Sequence, residues 1–336
     1  MNLITKIINK INSIVNSNKY YCWYVLRKQR YNELYPQILK GYKRNNSTFT
    51  SNEVICIYNG NVIAGGLADR LRGIISVYAI CKELGKQFKL YFVSPFNLED
   101  YFIPHLYDWH IDLEGISFNQ DNVDIVVLDT TDTSKYQQDK QYSYLYKALQ
   151  SAKQIHAYTN AYFSYNLNYS ELFTELFKPS ERLQNSLSSL MEDSGHDYIS
   201  ISARFLNLLG DFNETMNVQE LSECEQKQLL DSVLDQVRLI HMKNPQKKIL
   251  ANSDSVTFLQ EAKKLEYVFV NPGTVTHIDA KQETDSYLQF EKTFLDFLMI
   301  ANASSIYLLK ERRMHKSGYP YAASLLYSKP FEVIEF

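Results

Sequence analysis

The sequence predicts an α/β protein with two Rossmann-like domains that face a cleft, and three observations support this. Its 336 residues suit two domains of about 150 residues each. In the first half, short apolar runs alternate with a helical pattern, as in the strand–helix–strand series 53–58, 67–84 and 87–93. The second half repeats the alternation, from a strand at 197–202 to a last strand at 331–334. Such alternation is typical of parallel sheets with helices on their faces.

Three segments follow from this pattern. Residues 1–50 form a basic, amphipathic N-terminal extension, residues 51–185 the first Rossmann-like domain and residues 186–336 the second. We expect a ligand between the domains to lie at the carboxyl ends of the strands. The other predicted elements are strands at 124–129, 154–158, 247–251, 267–270 and 304–309, and helices at 218–242, 255–264, 283–302 and 320–327.

Charge is distributed unevenly along the chain. The net charge is −3, yet the first 44 residues contain nine Lys and Arg residues and one Glu, so the remainder carries −11. A nucleic-acid-binding protein needs a basic face that displaces counterions from phosphates. The acidic main body therefore predicts no nucleic-acid partner.

Apolar residues at helical spacing predict an amphipathic helix within residues 1–20. Lys6 and Lys10 lie beside its apolar face. That face consists of Leu3, Ile4, Ile7, Ile8, Ile11, Ile14 and Val15. Two interpretations stay open: a peripheral contact with the inner face of a membrane, or a helix docked on the protein's own body.

Cysteine usage and hydropathy predict a cytoplasmic protein. Cys22, Cys56, Cys81 and Cys224 form no CxxC pair, which indicates buried thiols in a reducing compartment. No apolar run reaches about 18 residues, the length of a membrane-spanning helix, and polar residues interrupt the N-terminus where a signal peptide is apolar. No pair of residues has metal-ligand spacing, so we expect no metal cofactor.

A glycine-rich turn between the first predicted strand and its helix indicates a ligand site. Residues 65–74 read GGLADRLRGI, and Gly65 and Gly66 let the backbone approach a ligand. Free N–H groups at the helix start favour an anion, and Arg70 and Arg72 suit bidentate recognition of oxygens. The turn is neither a P-loop nor a GxGxxG motif. The alternative is a tight turn whose arginines pair with surface acids.

Arg204 and Asp211 follow the first strand of the second half. Arg204 comes directly after a buried strand, so we expect it at the strand's carboxyl end. An arginine there can stabilise the charge that develops on a leaving diphosphate. Asp211 is a candidate general base for a hydroxyl group. The structural alternatives are an interdomain salt bridge for Arg204 and a turn or helix cap for Asp211.

Two further segments of the second half carry polar groups at strand ends. Asp254 is placed to accept hydrogen bonds from a nucleoside, or else to cap the helix that follows it. In residues 310–323 (KERRMHKSGYPYAA), five basic residues lie near Ser317, Gly318 and Tyr319. Helix N–H groups, a hydroxyl and a flexible glycine make an anion site. The alternative is a plain loop with a solvated run of charge.

Together these motifs resemble those of the α1,2-, α1,6- and protein O-fucosyltransferase superfamily. GGLADRLRGI is similar to its first motif, GLGDRLRG, and this match is fairly specific. Arg204 with Gly210 and Asp211 resembles its HxRxGD-type motif, and residues 317–323 resemble its third motif. The three motifs span residues 65–323 in the expected order.

The resemblance implies a GT-B-type fold, a GDP-fucose donor, inversion at the anomeric carbon and no obligatory metal. It implies an acceptor-side first domain, whose 65–72 loop faces the donor sugar or the acceptor, and a nucleotide-sugar-binding second domain. There Arg204 contacts the donor's β-phosphate, Ser317 and its neighbours hold the diphosphate, and Asp254 approaches the nucleoside. The implied partners are GDP-fucose and a glycan or lipid-linked glycan acceptor, as in surface-polysaccharide synthesis.

The sequence departs from the superfamily pattern at three places. Ser202 stands where the usual His contacts the nucleoside, Ala68 replaces a Gly, and the spacing from Arg204 to Gly210 is longer. We keep Ser202 as a donor-binding candidate. The alternatives are a GT-B transferase with another donor, such as a heptosyl or galactosyl nucleotide, and a non-catalytic binding protein with the same fold.

Several carboxylates are candidates for the catalytic base. Asp69 in the first motif and Asp211 come first. Asp129 and Asp132 lie in a Thr-rich loop after a predicted strand and are further candidates.

Overall fold

The structure is a computed structural model that describes residues 19–45, 48–62, 65–129, 135–163, 167–211, 218–274 and 287–336. It divides into two compact units, each with its own parallel sheet. In chain order the described elements are α1 (Lys19–Leu39), β1 (Val54–Tyr58), α2 (Leu67–Leu84), β2 (Phe88–Phe92), β3 (Phe102–Pro104), β4 (Val123–Leu128), α3 (Lys135–Ala148), β5 (Gln154–Thr159), α4 (Tyr169–Leu176), β6 (Phe177–Pro179), α5 (Glu181–Ser194), β7 (Tyr198–Ala203), α6 (Glu223–Lys243), β8 (Lys248–Ser253), α7 (Val256–Ala262), β9 (Val268–Phe269), α8 (Tyr287–Asn302), β10 (Ser305–Lys310), α9 (Tyr319–Leu326) and β11 (Phe331–Glu335), with 3-10 turns at Leu98–Asp100 and Leu113–Gly115.

The first unit is a parallel sheet with the strand order β2-β1-β5-β4. Every residue of β1 is buried, as expected for a strand covered on both faces. The chain passes from β1 to β2 on one side and through β4 to β5 on the other. The order therefore reverses between β1 and β5, and ligands of open α/β sheets bind at the carboxyl ends of such a switch point.

The second unit is a parallel sheet with the order β11-β10-β7-β8-β9. Counted from β7, this is the 3-2-1-4-5 order of Rossmann folds, and it reverses between β7 and β10. One face of the sheet packs against Val233 of α6 and Phe258 of α7. On the other face, Oη of Tyr198 donates to the carbonyl of Met299 in α8 at 2.7 Å. The strand–helix alternation predicted for both halves is confirmed, including a helix with the predicted bounds 67–84.

The boundary between the units differs from the predicted one at 185. Within the described residues, the first unit runs to Gly65 and includes Asp69–Ser94 and Asp108–Leu167, while the second holds Gly66–Ala68, Pro95–Tyr107 and Asn168–Phe336.

Packing and strand pairing explain why Pro95–Tyr107 joins the second unit. β3 pairs antiparallel with β6. The Tyr101 ring stacks on Phe294, with centroids 4.1 Å apart, and the N–H of Ser180 donates to the Tyr101 carbonyl at 2.7 Å. Strands of three residues that contain proline carry no periodic pattern, so the sequence did not predict them.

Helix α1 belongs to the core of the first unit rather than to a separate extension of residues 1–50. Leu34 and Ile38, one helical turn apart, are buried and pack with Ile57 of β1. Residues 1–18 lie outside the described part of the chain, so the membrane contact stays a prediction. In the ranges that the structure describes, no helix is long and apolar enough to cross a membrane.

A buried histidine network joins α1's end to the first sheet. His156 of β5 is fully buried, and burial lowers its pKa to about 3. Its Nε2 lies 2.9 Å from Oε1 of Gln154, which can only accept, so Nδ1 accepts from the hydroxyl of Tyr42. The same hydroxyl lies 3.0 Å from that of Tyr158. The neutral imidazole is therefore built into the core.

This network predicts a loss of stability below pH 6.5. In the unfolded chain His156 takes up a proton near its ordinary pKa, whereas in the fold it stays neutral until about pH 3. Between these values the unfolded state binds more protons, so the free energy of unfolding falls as the pH falls, by up to about 1.4 kcal/mol per pH unit. Urea unfolding between pH 7 and pH 5 measures this slope.

The matched variants are His156→Gln, which should flatten that slope, and His110→Gln, which removes an exposed histidine and should leave it unchanged. Equal slopes in all three proteins would contradict the prediction.

Candidate functional site

The first of the predicted sites lies on the turn between β1 and α2. Gly65 has a positive φ of +77°, and a Cβ on it would lie 2.7 Å from Oδ2 of Asp69. Gly66 follows directly and leads into the first turn of α2. The two glycines thus form the tight turn that the sequence predicted, and the backbone at Gly65 packs against the carboxylate of Asp69.

Arg70 has a structural role that differs from the predicted ligand contact. It is only 5% exposed, because this position of α2 faces the sheet. Its Nε donates to the carbonyl of Gly65 at 2.8 Å and its Nη1 to the carbonyl of Ser94 at 2.9 Å. The guanidinium therefore holds together the loops that follow β1 and β2.

Asp69 and Arg72 lie together on α2. They form an i,i+3 ion pair, and the Arg72 guanidinium lies 5.4 Å from the ring centre of Tyr162. The side chain of Asp69 is 37% exposed. Arg72 therefore pairs with an acid, which is the structural alternative to a ligand contact. The Asp69 carboxylate nevertheless stays within reach of a ligand.

Gly73 fixes how closely α2 approaches β5. A Cβ on it would lie 2.2 Å from the carbonyl oxygen of Thr159. The Tyr58 hydroxyl donates to that same oxygen at 2.8 Å and lies 3.1 Å from the carbonyl of Arg70. The final glycine of the first motif is thus needed for helix–strand packing at the switch point.

We predict that Gly73→Ala destabilises the protein. In an uncrowded helix interior, replacing glycine by alanine stabilises the helix by about 1 kcal/mol. Here the added methyl group collides with backbone, and overpacking of this kind costs about 1–3 kcal/mol. Urea unfolding should show a lower free energy of unfolding, and an increase would contradict the close packing.

In the second unit, the predicted site lies at the switch point between β7 and β10. Arg204 is the first residue after β7 and is half-buried. The N–H of His315, in the loop after β10, donates to the Arg204 carbonyl at 3.2 Å. Because β7 and β10 are neighbours in the sheet, the structure brings the Arg204 loop and the 311–318 loop together, as the sequence predicted.

Asp254 clamps the loop that carries Arg204. Its Oδ1 accepts from the N–H of Phe205 at 2.9 Å and its Oδ2 from the N–H of Leu206 at 2.8 Å. Leu206 has a positive φ of +55°, so the carboxylate holds a turn that leucine seldom adopts. The neighbouring Ser253 adds a hydrogen bond to the Ala203 carbonyl at 2.7 Å.

Burial raises the pKa of Asp254, while the two backbone N–H groups and the nearby Arg204 oppose that rise. Both carboxylate oxygens are engaged within the loop. The structure therefore shows a positioning role for Asp254, and its predicted contact with a nucleoside stays a prediction.

We predict that Asp254→Asn lowers the free energy of unfolding by about 1–3 kcal/mol, because one backbone N–H then faces the amide NH₂ group and loses its acceptor. Asp235→Asn, on an exposed part of α6, is the matched control and should cost far less. Urea unfolding of both variants is the measurement. Similar losses would show that the clamp contributes little.

Asp211 caps helix α7. Its Oδ2 accepts from the hydroxyl of Ser255 at 2.8 Å and from the N–H of Thr257 at 2.7 Å. Of the two roles that the sequence left open, the structure favours the helix cap over the general base. Residues 212–217, which follow it, lie outside the described part of the chain.

Ser202 lies inside the sheet, between Asn252 of β8 and Leu308 of β10. It is 6% exposed, and within the described residues its Oγ has no hydrogen-bond partner. The serine is therefore adjacent to Arg204 yet buried, and its predicted nucleoside contact stays a prediction.

The 311–318 loop leads into α9, which begins at Tyr319. The N–H of Tyr319 donates to Oγ of Ser317 at 3.3 Å, and Gly318 is the N-cap residue. The Tyr319 hydroxyl donates to the carbonyl of Thr293, so it ties the start of α9 to α8. Ser317 and Gly318 lie between β10 and α9, and their contact with a diphosphate stays a prediction.

Charge at the same loop comes from exposed basic residues. Arg313 pairs with Glu311 at 3.0 Å, and both Arg312 and Lys316 are exposed. Two cationic side chains of the loop that contains Ser317 therefore face solvent, which suits an anionic ligand.

The remaining base candidates have separate outcomes. Asp129 follows β4 and pairs with Arg30 of α1, a contact that no sequence pattern indicated. Asp132 lies outside the described residues. In the described part of the chain, no three His, Cys, Asp or Glu side chains cluster as a metal site would require.

Comparisons with known proteins give matches in structure only. No family model matches the sequence, and no curated protein matches it. Among solved structures, the protein is similar to NodZ alpha-1,6-fucosyltransferase soaked with GDP-fucose, with a TM-score of 0.54 and 14% identity, covering 85% of this chain and 95% of that one. Se-Met NodZ from Bradyrhizobium gives 0.53 and 15%, with the same coverage.

A mutant of Arabidopsis thaliana FUT1 in complex with GDP gives a TM-score of 0.50 and 12% identity, covering 94% of this chain and 79% of that one. At such identities the likeness shows the fold. The predicted class, two Rossmann-like domains of the GT-B type, is confirmed at this level, as is the resemblance to the fold of fucosyltransferases.

Proposed function

We propose that this protein is an inverting glycosyltransferase that transfers fucose from GDP-fucose to a hydroxyl group of a glycan acceptor in surface-polysaccharide synthesis. The observation that carries the proposal is the position of Arg204. It emerges at the switch point of a Rossmann-ordered sheet, on a loop clamped by Asp254 and beside the Ser317–Gly318 turn. That is where such sheets bind a nucleotide.

The donor class is supported by two independent kinds of observation. The three motifs of the sequence resemble those of fucosyltransferases, and the fold is similar to that of NodZ soaked with GDP-fucose and of FUT1 in complex with GDP. The exposed cations beside Ser317 suit a diphosphate. The pathway rests on less, namely the basic N-terminal segment, which suits an anionic surface or a lipid-linked acceptor.

In the proposed reaction, the bond between the anomeric carbon and the phosphate oxygen breaks while an acceptor hydroxyl attacks from the opposite face. Negative charge develops on the leaving diphosphate, and Arg204 stabilises it together with N–H groups at the start of α9. The hydroxyl proton passes to a carboxylate. Of the two carboxylates first considered for that role, Asp69 is partly exposed and Asp211 caps a helix.

A thermal-shift panel of GDP, GDP-fucose, UDP, CMP and ADP, with and without a chelator, tests the donor class. We expect GDP and GDP-fucose to raise the melting temperature strongly, with no effect of the chelator. Arg204→Ala should abolish the shift and lower transfer from GDP-fucose by on the order of a hundredfold or more. Arg238→Ala, an exposed arginine on α6, is the control and should behave as wild type.

Each other outcome rejects a defined part of the proposal. A shift with a different nucleotide would keep the fold and reject fucose in favour of another donor. No shift with any nucleotide would favour the non-catalytic alternative. Normal turnover in Arg204→Ala would reject the proposed role of Arg204.

A further inference from the structure

A small pocket opens at the switch point of the first unit's sheet. It lies between the carboxyl ends of β1 and β5, with α1 forming one wall. Leu34 of α1, Ile57 of β1 and Val62 supply apolar surface, while Asp129 and Asn160 supply polar groups. This edge also carries the turn of the first motif, so the pocket stands where an open α/β sheet binds its ligand.

Asp129 places a carboxylate in this pocket that forms a hydrogen bond through one of its two oxygens. Its Oδ2 accepts a hydrogen bond from Nε of Arg30 in α1. Within the described residues its Oδ1 takes part in no hydrogen bond, although the side chain is only 17% exposed. A carboxylate oxygen that no protein group donates to can accept a hydrogen bond from a bound molecule in place of water.

The charges around the pocket select the kind of donor. Arg30 pairs with both Asp129 and Glu33, so the three side chains carry a net charge of −1 and repel an anion, while the apolar wall disfavours a second desolvated cation. A neutral hydroxyl group fits both constraints. The apolar wall of Leu34, Ile57 and Val62 suits the C–H surface of the carbon that bears such a hydroxyl.

The size of the pocket limits what enters it. The space inside is about 20 Å³, enough for one group of the size of a water molecule. A whole pyranose ring does not fit, whereas one hydroxyl of a ring that rests on the rim does.

We propose that this pocket binds one hydroxyl group of the acceptor saccharide, which donates a hydrogen bond to Oδ1 of Asp129. Arg30 pairs with the other carboxylate oxygen and takes no part in holding the hydroxyl. The inference rests on the proposed function for its substrate class and adds the acceptor contact that the motifs did not assign. It also gives Leu34 of α1 a part in substrate recognition.

The competing explanation is that the Arg30–Asp129 pair only ties α1 to the sheet. Since Arg30 is 42% exposed, breaking the pair should change stability little. Either substitution breaks the ion pair, but only Asp129→Asn takes the acceptor from the pocket, because the amide oxygen stays with Arg30 and the NH₂ group then faces the bound hydroxyl. The two explanations therefore predict different results for two variants.

The experiment is saturation-transfer NMR on the full chain without nucleotide, using methyl β-galactoside, methyl β-glucoside and methyl α-mannoside at millimolar concentration. We expect at least one glycoside to bind the wild type. Asp129→Asn should weaken that binding by about tenfold or more, the effect of losing a hydrogen bond to a charged group. Arg30→Gln should leave it within about twofold, with melting temperatures of both variants close to wild type.

Equal binding by wild type and Asp129→Asn would overturn the inference, as would equal losses in both variants or the absence of binding by every glycoside. None of these results bears on the nucleotide panel, so GDP binding can succeed while the pocket fails. Conversely, glycoside binding that depends on Asp129 without any nucleotide shift would keep the pocket and reject the transferase.

Discussion

Two hydrogen bonds from the backbone N–H groups of Phe205 and Leu206 to the carboxylate of Asp254 hold the loop on which the candidate site of the second unit depends. The turn needs this support because Leu206 adopts a left-handed conformation that is unfavourable for a residue with a side chain. The clamp sets the exit direction of the chain after β7, and Arg204 leaves the sheet at that point. A side chain that stabilises developing charge must be held in place before the reaction.

In the first unit a buried side chain also holds loops by hydrogen bonds to the backbone, but it is a cation instead of a carboxylate. Buried Arg70 donates to the carbonyls of Gly65 and Ser94, so one guanidinium joins the loops after two neighbouring strands. Gly73 lets α2 approach β5 closely enough for this geometry. The motif that indicated a ligand site therefore contains two kinds of residue. Arg70 and Gly73 build the turn, while Asp69 remains partly exposed on it.

These roles explain why part of the candidate site was predictable and part was not. Arg204 was placed correctly, because a residue directly after a buried strand must emerge at the strand's carboxyl end. Asp211 and Asp254 are both aspartates in loops that follow strands of the second unit, yet one caps α7 and the other clamps a loop. Which backbone N–H groups a carboxylate meets depends on contacts between residues more than forty positions apart.

The sequence by itself determined the α/β class, the alternation of strands and helices, the bounds of α2 and the motifs at strand ends, because apolar periodicity and turn residues act locally. Tertiary structure decided the rest. It placed α1 in the first core, joined Pro95–Tyr107 to the second unit through short strands and aromatic stacking, and paired Asp129 with Arg30. The physical reason is that pairing between residues far apart in sequence leaves no periodic trace along the chain.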